Sequence, residues 1–284
     1  MKRFCTWLVL SIALPTCHAR TVRDELGRTI EVPEHPHRLV CLMPSVVDDV
    51  YALGAGADVI AVTDYTKYPA AARAKPSVGS ILAPSMETIL SLHPDLVLGS
   101  ADMSRTETLQ QLERLGIVVF MISTHGVEGI YQSITSLGRA LNRENSARDL
   151  VARLRAREAQ VRRQVNGKPV VSILMPVGYD PILTIGKHAF ITELIEIAGG
   201  HSVTSDLDQD WPQVSLEAVL ERAPEALLLI RGSRMSIERI RVQPGWDNLP
   251  AVRNNKVYYV DDRINLPRPV AFDALEDLAG QFHP

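Results

Sequence analysis

Aromatic residues are scarce, at 5% of 284, which leaves little material for stacking bases. An excess of one charge is missing as well, since 30 Lys and Arg stand against 33 Asp and Glu for a formal charge of −3. Binding to a phosphate backbone needs a basic footprint, so a nucleic-acid partner is excluded. No polybasic tail is present to hold a membrane surface. Of three cysteines, Cys5 and Cys17 fall in the first twenty residues and only Cys41 lies beyond them. Cys41 sits inside the apolar run Leu39 to Met43, where a buried strand thiol is expected. The recurrent catalytic signatures are also absent: no Gly-x-Ser-x-Gly, no phosphate loop ending in Gly-Lys-Ser/Thr, no His-Glu-x-x-His, no Cys-x-x-Cys. Gly54-Ala55-Gly56 ends a helical pattern and lacks the third glycine of a dinucleotide turn. The histidines, among them His125, His188 and His201, are too scattered to compose a metal cage.

The first residues follow their own rules. Lys2 and Arg3 precede an apolar run from Trp7 to Leu14, then Pro15 and the small residues Thr16 and Ala19. This pattern predicts a secretory signal peptide over 1–19, cut after Ala19. A lipoprotein processed before Cys17 fits less well, because Pro15 and Thr16 suit that cleavage poorly. The run is far shorter than the ~20 apolar residues of a membrane-spanning helix. Taking Lys2 and Arg3 from the 30 basic groups leaves 28 against 33 acidic ones, a mildly acidic, soluble and monomeric chain.

With 46% hydrophobic residues the chain can bury one large core or two ordinary ones. Strand-like runs at Leu39 to Met43, Val59 to Val62, Leu96 to Leu98 and Val118 to Ile122 alternate with helical patterns at Val46 to Leu53, Glu87 to Leu92 and Thr106 to Leu115. Such alternation predicts a mostly parallel sheet covered on both faces. It resumes at Val170 to Leu174 and continues to Val257 to Val260 and a last helix over 270–282. Between the blocks, 130–165 reads as helix without proline. Ala147, Leu150, Val151, Leu154 and Val161 form its apolar stripe, its arginines face solvent, and Asn166-Gly167 stops it.

A shift of 130 positions lays Ser85-Met86-Glu87-Thr88-Ile89-Leu90 over Ser215-Leu216-Glu217-Ala218-Val219-Leu220. The register carries on from Pro94-Asp95-Leu96 to Pro224-Glu225-Ala226. Weaker echoes pair Val40 to Pro44 with Ser172 to Pro176, and Tyr51 to Gly56 with Glu196 to Gly200 at another offset, as if Tyr179 to Gly186 were an inserted hairpin. The predicted architecture is α/β: two Rossmann-like lobes, 20–141 and 168–284, joined by one long helix over 142–167. The cleft between them is the default binding site. Glu87 and Glu217 each follow a serine by two residues at a helix start, where a carboxylate suits the exposed amides. Their repetition suits a two-fold-symmetric partner with basic pockets.

Several runs together resemble a known family. Asp24 to Ile30, Arg38-Leu39-Val40 with Pro44-Ser45, Thr63-Asp64-Tyr65 with Tyr68-Pro69, His93 to Leu98 and above all Trp211-Pro212-Gln213-Val214-Ser215-Leu216-Glu217 look like the helical-backbone substrate-binding proteins of ABC importers. Within that family the last run is nearest the cobalamin-binding members. The resemblance implies a periplasmic protein that hands a small molecule to an ABC permease dimer with its ATPase subunits, and performs no covalent chemistry. Cobalamin would then be transported ligand, not cofactor, and no metal site is implied. Glu87 and Glu217 match the acids that dock on permease arginines, and Trp211 matches a residue that packs on the corrinoid. Pro44, Ser45 and Tyr65 match cleft-lining positions. Ile81 stands where the cobalamin-binding members carry a second tryptophan, so a ferric siderophore or haem stays open. A haem would call on His125, Tyr179 or His188, and a siderophore on Arg105 or Arg231. An exported enzyme using the same cleft, or a binding protein serving a signalling receptor, are the competing expectations.

Overall fold

The computed structural model describes residues 19–101 and 106–284. The expected signal peptide therefore lies, apart from Ala19, outside the described residues, as does Arg105. The described residues open on an antiparallel hairpin of β1 (Ala19–Arg23) and β2 (Thr29–Pro33). The first lobe follows with β3 (Leu39–Cys41), α1 (Pro44–Ala52), β4 (Val59–Ala61), α2 (Ala70–Arg73), α3 (Met86–Ser91), β5 (Leu96–Ser100), α4 (Thr106–Arg114), β6 (Val119–Ile122) and α5 (Gly126–Ala140). Helix α6 (Glu144–Val165) leads to the second lobe. That lobe holds β7 (Val171–Leu174), β8 (Ile182–Leu183), α7 (Phe190–Ile197), β9 (Gly200–Ser202), β10 (Gln213–Val214), α8 (Leu216–Arg222), β11 (Ala226–Ile230), α9 (Ile237–Arg241), α10 (Pro250–Arg253), β12 (Val257–Val260) and α11 (Ala271–Phe282).

Each lobe is built on a four-stranded parallel sheet, in the order β4-β3-β5-β6 and β12-β11-β7-β9. Counted within its own lobe, each order places the first strand beside the second and third, with the fourth outside the third. The repeat seen in the sequence is thus a repeat of topology. Strands buried on both faces read as unbroken apolar runs, and Leu39, Val40 and Cys41 are all fully buried. Burial pushes the Cys41 thiol up to about 12, so it stays protonated and unreactive.

Smaller details repeat too. Ser85 and Ser215 each accept a hydrogen bond at 3.2 Å from the amide three residues on, of Thr88 and Ala218, which caps α3 and α8. His93 and Ala223, 130 positions apart, take left-handed φ values of 44° and 46° before their prolines. Gly54 and Gly199 end α1 and α7 with φ of 78° and 85°, a conformation that glycine adopts without steric cost.

The long helical stretch departs from expectation. It is two helices, broken at Asn142 with φ 55°, and the pair packs so tightly that a Cβ on Gly138 would lie 2.4 Å from that of Ala147. The stripe Ala147, Leu150, Leu154 and Val161 is buried as expected. The arginines are more than a solvated face. Arg155 lies 4.2 Å over the Tyr131 ring and pairs with Glu128 on α5. Arg157 binds Asp273 and Glu276 on α11, each at 2.7 Å, and Arg162 pairs with Glu158. Helix α6 is thus ion-paired to both lobes. The segment before α7 does turn back as a hairpin, with Pro176 bridging Thr184 and the Val177 amide donating to Leu183 at 2.8 Å, and β8 then pairs with β10.

One apolar cluster runs through both lobes, from Val46, Ile130, Ile134 and Leu137 to Leu194, Ile195, Phe272 and Leu275. Two smaller clusters are private, one around Val97 and Met121 and one around Leu227 and Trp246. Among the described residues no helix is long and apolar enough to cross a membrane.

Candidate ligand-binding site

In open α/β sheets the crevice beyond the carboxyl ends of the strands collects ligands. Here β3 runs into α1 through Leu42 and Met43, and Pro44 opens the helix where its missing N–H costs nothing. The loop after β4 is pinned from below: the Val78 amide donates to Val62 at 2.8 Å, the Asp64 amide to Gly79 at 3.0 Å, and the Ser77 hydroxyl to the Asp64 carboxylate. That anchoring leaves Tyr65 and Tyr68 projecting, at 60% and 50% exposure.

These pieces enclose a cavity of about 270 Å³ between the lobes. The first lobe supplies Met43, Pro44, Tyr65, Lys67, Tyr68 and Ile81, and the second supplies Asp262, Asn265, Leu266 and Arg268 from the loop between β12 and α11. Sites for drug-sized molecules run from about 300 Å³ upward, so a larger ligand would extend past the two tyrosines into the open cleft. One lining residue, Arg268, belongs to an interlobe ion pair. Arg268 donates to Asp48 of α1 at 2.8 Å, with both side chains under one-tenth exposed. Burial raises the Asp48 carboxyl above its ordinary range, and the Arg268 charge pulls it back. Beside it Asp49 is wholly buried with one carboxylate oxygen unpartnered, and burial holds its carboxyl well above the usual range, reinforced by the neighbouring Asp48 charge.

A second acid crosses the other way. Glu193 of α7 accepts the Val127 amide at the start of α5 at 2.8 Å, and burial raises its carboxyl too. When the sequence is aligned on the glycines that end α1 and α7, Glu193 falls on Asp48. Each lobe therefore lends the other one carboxylate from the same place in its fold. Tyr131 and Phe272 meet across the same seam with ring centroids 5.9 Å apart.

Of the residues read from the sequence, Pro44, Tyr65 and Ile81 come together in the cavity. Ser45 lies buried within α1 and does not line it. Trp211, expected in the cleft, does not line this cavity; it is 44% exposed on a segment held tightly to the chain after β8, where the Thr184 and Gly186 amides donate to Pro212 and Asp210. Gly186 is required there, because a Cβ would come within 2.2 Å of the Gln209 carbonyl oxygen. The remaining candidates lie elsewhere. Tyr179 packs edge-on to Trp246 at 6.3 Å and lines a different pocket. Arg231 faces α11, 3.6 Å from Asp277, and His188 bonds Asp208 at 2.8 Å. His125 lines a third pocket with Glu25 and Glu128. Arg268, Asp262, Asn265 and Lys67 went unnoticed in the sequence. The one available signal was position, just past the carboxyl end of a predicted strand.

Glu87 and Glu217 are exposed in the first turns of α3 and α8. Neither is in an ion pair among the described residues. The helix amide and the Ser215 hydroxyl hold the Glu217 carboxyl below its ordinary value. No group of three or more His, Cys, Asp or Glu able to hold a metal ion occurs among the described residues.

Two similar lobes, a helical connection and a small-molecule cleft between them define a solute-binding protein. The chain belongs to the periplasmic binding protein family, whose model matches residues 39–264. It is 28% identical over 272 residues to an uncharacterized ABC transporter substrate-binding lipoprotein, YvrC of Bacillus subtilis, covering 93% of this chain and 85% of the relative. It is also 28% identical over 247 residues to a vitamin B12-binding protein of Vibrio campbellii, covering 86% and 89%. Among solved structures, the periplasmic heme-binding protein RhuT from Roseiflexus superposes with a TM-score of 0.77 at 26% identity, covering 87% of this chain and 98% of that one. Members of this family work with ABC transporters outside the cytoplasm, and the chain is a binding protein, not an enzyme.

Proposed function

We propose that the protein captures a corrinoid, cobalamin, between its lobes and delivers it to an ABC permease dimer carrying ATPase subunits. The observation that carries the reading is the run Trp211 to Glu217, which resembles the corresponding run of the cobalamin-binding members and holds an exposed indole and an exposed acid in the first turn of a serine-capped helix. The similarity to a vitamin B12-binding protein supports it. Cobalamin is cargo here and no cofactor is needed. The protein works as a soluble periplasmic monomer after cleavage behind Ala19. Mass spectrometry of the exported chain tests that last point, because a lipid on Cys17, as the lipoprotein relative suggests, would replace an N-terminal Arg20.

Titration with cyanocobalamin is the direct test. Trp246 is buried at 2% exposure, so quenching should come from Trp211 and vanish in Trp211→Phe. No saturable binding of cobalamin, with saturable binding of a ferric siderophore, would sink the assignment. Haem is the second reading, favoured by the two exposed phenols of Tyr65 and Tyr68 in the cavity. A phenolate-to-iron charge-transfer band on adding haemin, lost in Tyr65→Phe or Tyr68→Phe, would support it.

Delivery rests on Glu87 and Glu217. The double variant Glu87→Ala, Glu217→Ala should keep cobalamin affinity and lose stimulation of the transporter ATPase. Normal stimulation would remove the docking role, and binding to a signalling receptor would become the better account.

A further inference from the structure

A pocket of about 560 Å³ opens beside Glu217 on the second lobe. It shares no residue with the interlobe cavity. One wall is the run Gln213 to Glu217, and two others come from segments that interrupt the internal repeat. One is the hairpin between β7 and α7, which brings Tyr179, Asp180 and Pro181, whereas in the first lobe β3 passes to α1 through only Leu42 and Met43. The other is the turn between α9 and α10, with Gln243 and Pro244, where the first lobe has, among the described residues, the single helix α4.

The lining is acidic, although the Arg239 guanidinium at its edge reaches the same Arg234 carbonyl that the Tyr179 hydroxyl bonds. Asp180 and Glu217 supply two carboxylates, Gln213 and Gln243 supply amide oxygens, and no Lys, Arg or His lines the pocket. Neither acid is in an ion pair among the described residues. The Tyr179 ring is held edge-on against the buried Trp246, and its hydroxyl donates to the Arg234 carbonyl at 3.2 Å. A guanidinium matches such a lining: it is planar, carries five donors for carboxylates and amide oxygens, and stacks on aromatic rings. The pocket has room for more than one side chain, hence for the loop that bears it.

We propose that this pocket is a socket for a basic loop of the permease, with an arginine entering between Tyr179 and the carboxylates of Asp180 and Glu217. The socket rests on the docking role of Glu87 and Glu217, and extends it from one acid to a built surface. It also gives docking a polarity. A two-fold-symmetric permease presents the same loop twice, and the second lobe receives one copy in a pocket two of whose walls the first lobe lacks. The second lobe therefore carries the larger share of the contact.

The test uses the full-length mature protein and its cognate permease–ATPase complex in nanodiscs. Gln243→Trp fills the pocket without touching Glu217, and Asp180→Asn removes one charge at an exposed position. Docking affinity should fall about ten-fold or more for Gln243→Trp and about three-fold or more for Asp180→Asn, with thermal midpoint and cobalamin affinity unchanged; ten-fold corresponds to about 1.4 kcal/mol. Glu217→Ala should weaken docking more than Glu87→Ala. Wild-type docking by both pocket variants, with docking lost in the double glutamate variant, overturns the socket and leaves the docking role intact. Wild-type docking by the double glutamate variant overturns the docking role itself.

Discussion

The two lobes share a strand order, a serine cap, a left-handed residue before a proline and a glycine at the end of the first helix. They differ in the chain between the first strand and the first helix, two residues in one lobe and a hairpin with a loop in the other. What repeats is the part that packs. What differs lies at the surface and at the cleft, so the duplicated fold is a frame on which the halves acquired separate work. The seam follows the same logic with a twist: Asp48 and Glu193 occupy equivalent places, yet one meets a buried arginine and the other a helix amide.

The strongest challenge to this division is to damage the core that both lobes share. Phe272→Ala should cost about 4 kcal/mol, within the range of large-to-small changes at buried aromatics, and urea unfolding should remain a single transition. Two separated transitions would mean that the lobes fold independently. Arg268→Ala should cost about 3 kcal/mol, because it leaves Asp48 buried without its partner. Replacing both members, Arg268→Met with Asp48→Leu, should recover most of that loss in the same measurement.

Asp49 tests the seam with the opposite sign. Its folded carboxyl lies above the unfolded value, so its contribution is favourable in acid and is lost as pH rises through the raised value. Asp49→Asn should therefore stabilise the protein by about 1 kcal/mol near pH 8, with the gain shrinking toward pH 4. A gain that is constant with pH would contradict the buried-acid account. The finest comparison is between the caps. Ser85→Ala and Ser215→Ala should each cost about 1 kcal/mol, and unequal losses in thermal melts would show that α3 and α8 are less equivalent than their 3.2 Å bonds suggest.

Much of the frame was legible because parallel strands buried on both faces leave an unmistakable trace. Leu39 to Cys41 and Leu96 to Leu98 stood out as such runs, and the half-buried edge strand Val257 to Val260 by its valines and tyrosines. The break between α5 and α6 did not, because Leu141-Asn142-Arg143 holds neither glycine nor proline and the kink depends on Asn142 entering the left-handed region. The hairpin of β1 and β2 was equally silent, being half-exposed and polar. In the cleft, the first-lobe residues Pro44, Tyr65 and Ile81 were found. Their second-lobe partners were not, since Asp262 to Arg268 become a wall only when a loop far along the chain swings over α1. Tyr179 was read as a cleft residue, and its place beside Glu217 depends on a hairpin whose direction no periodicity encodes.

Cys41 has a practical consequence. Its thiol is the only one among the described residues, sealed in the central strand of the first lobe and held protonated. In a chain that begins at Arg20, as proposed, a cysteine introduced at exposed Leu90 or Val242 would react with a maleimide dye without background. A pair of such labels, one on each lobe, would turn the protein into its own ruler for watching the cleft breathe.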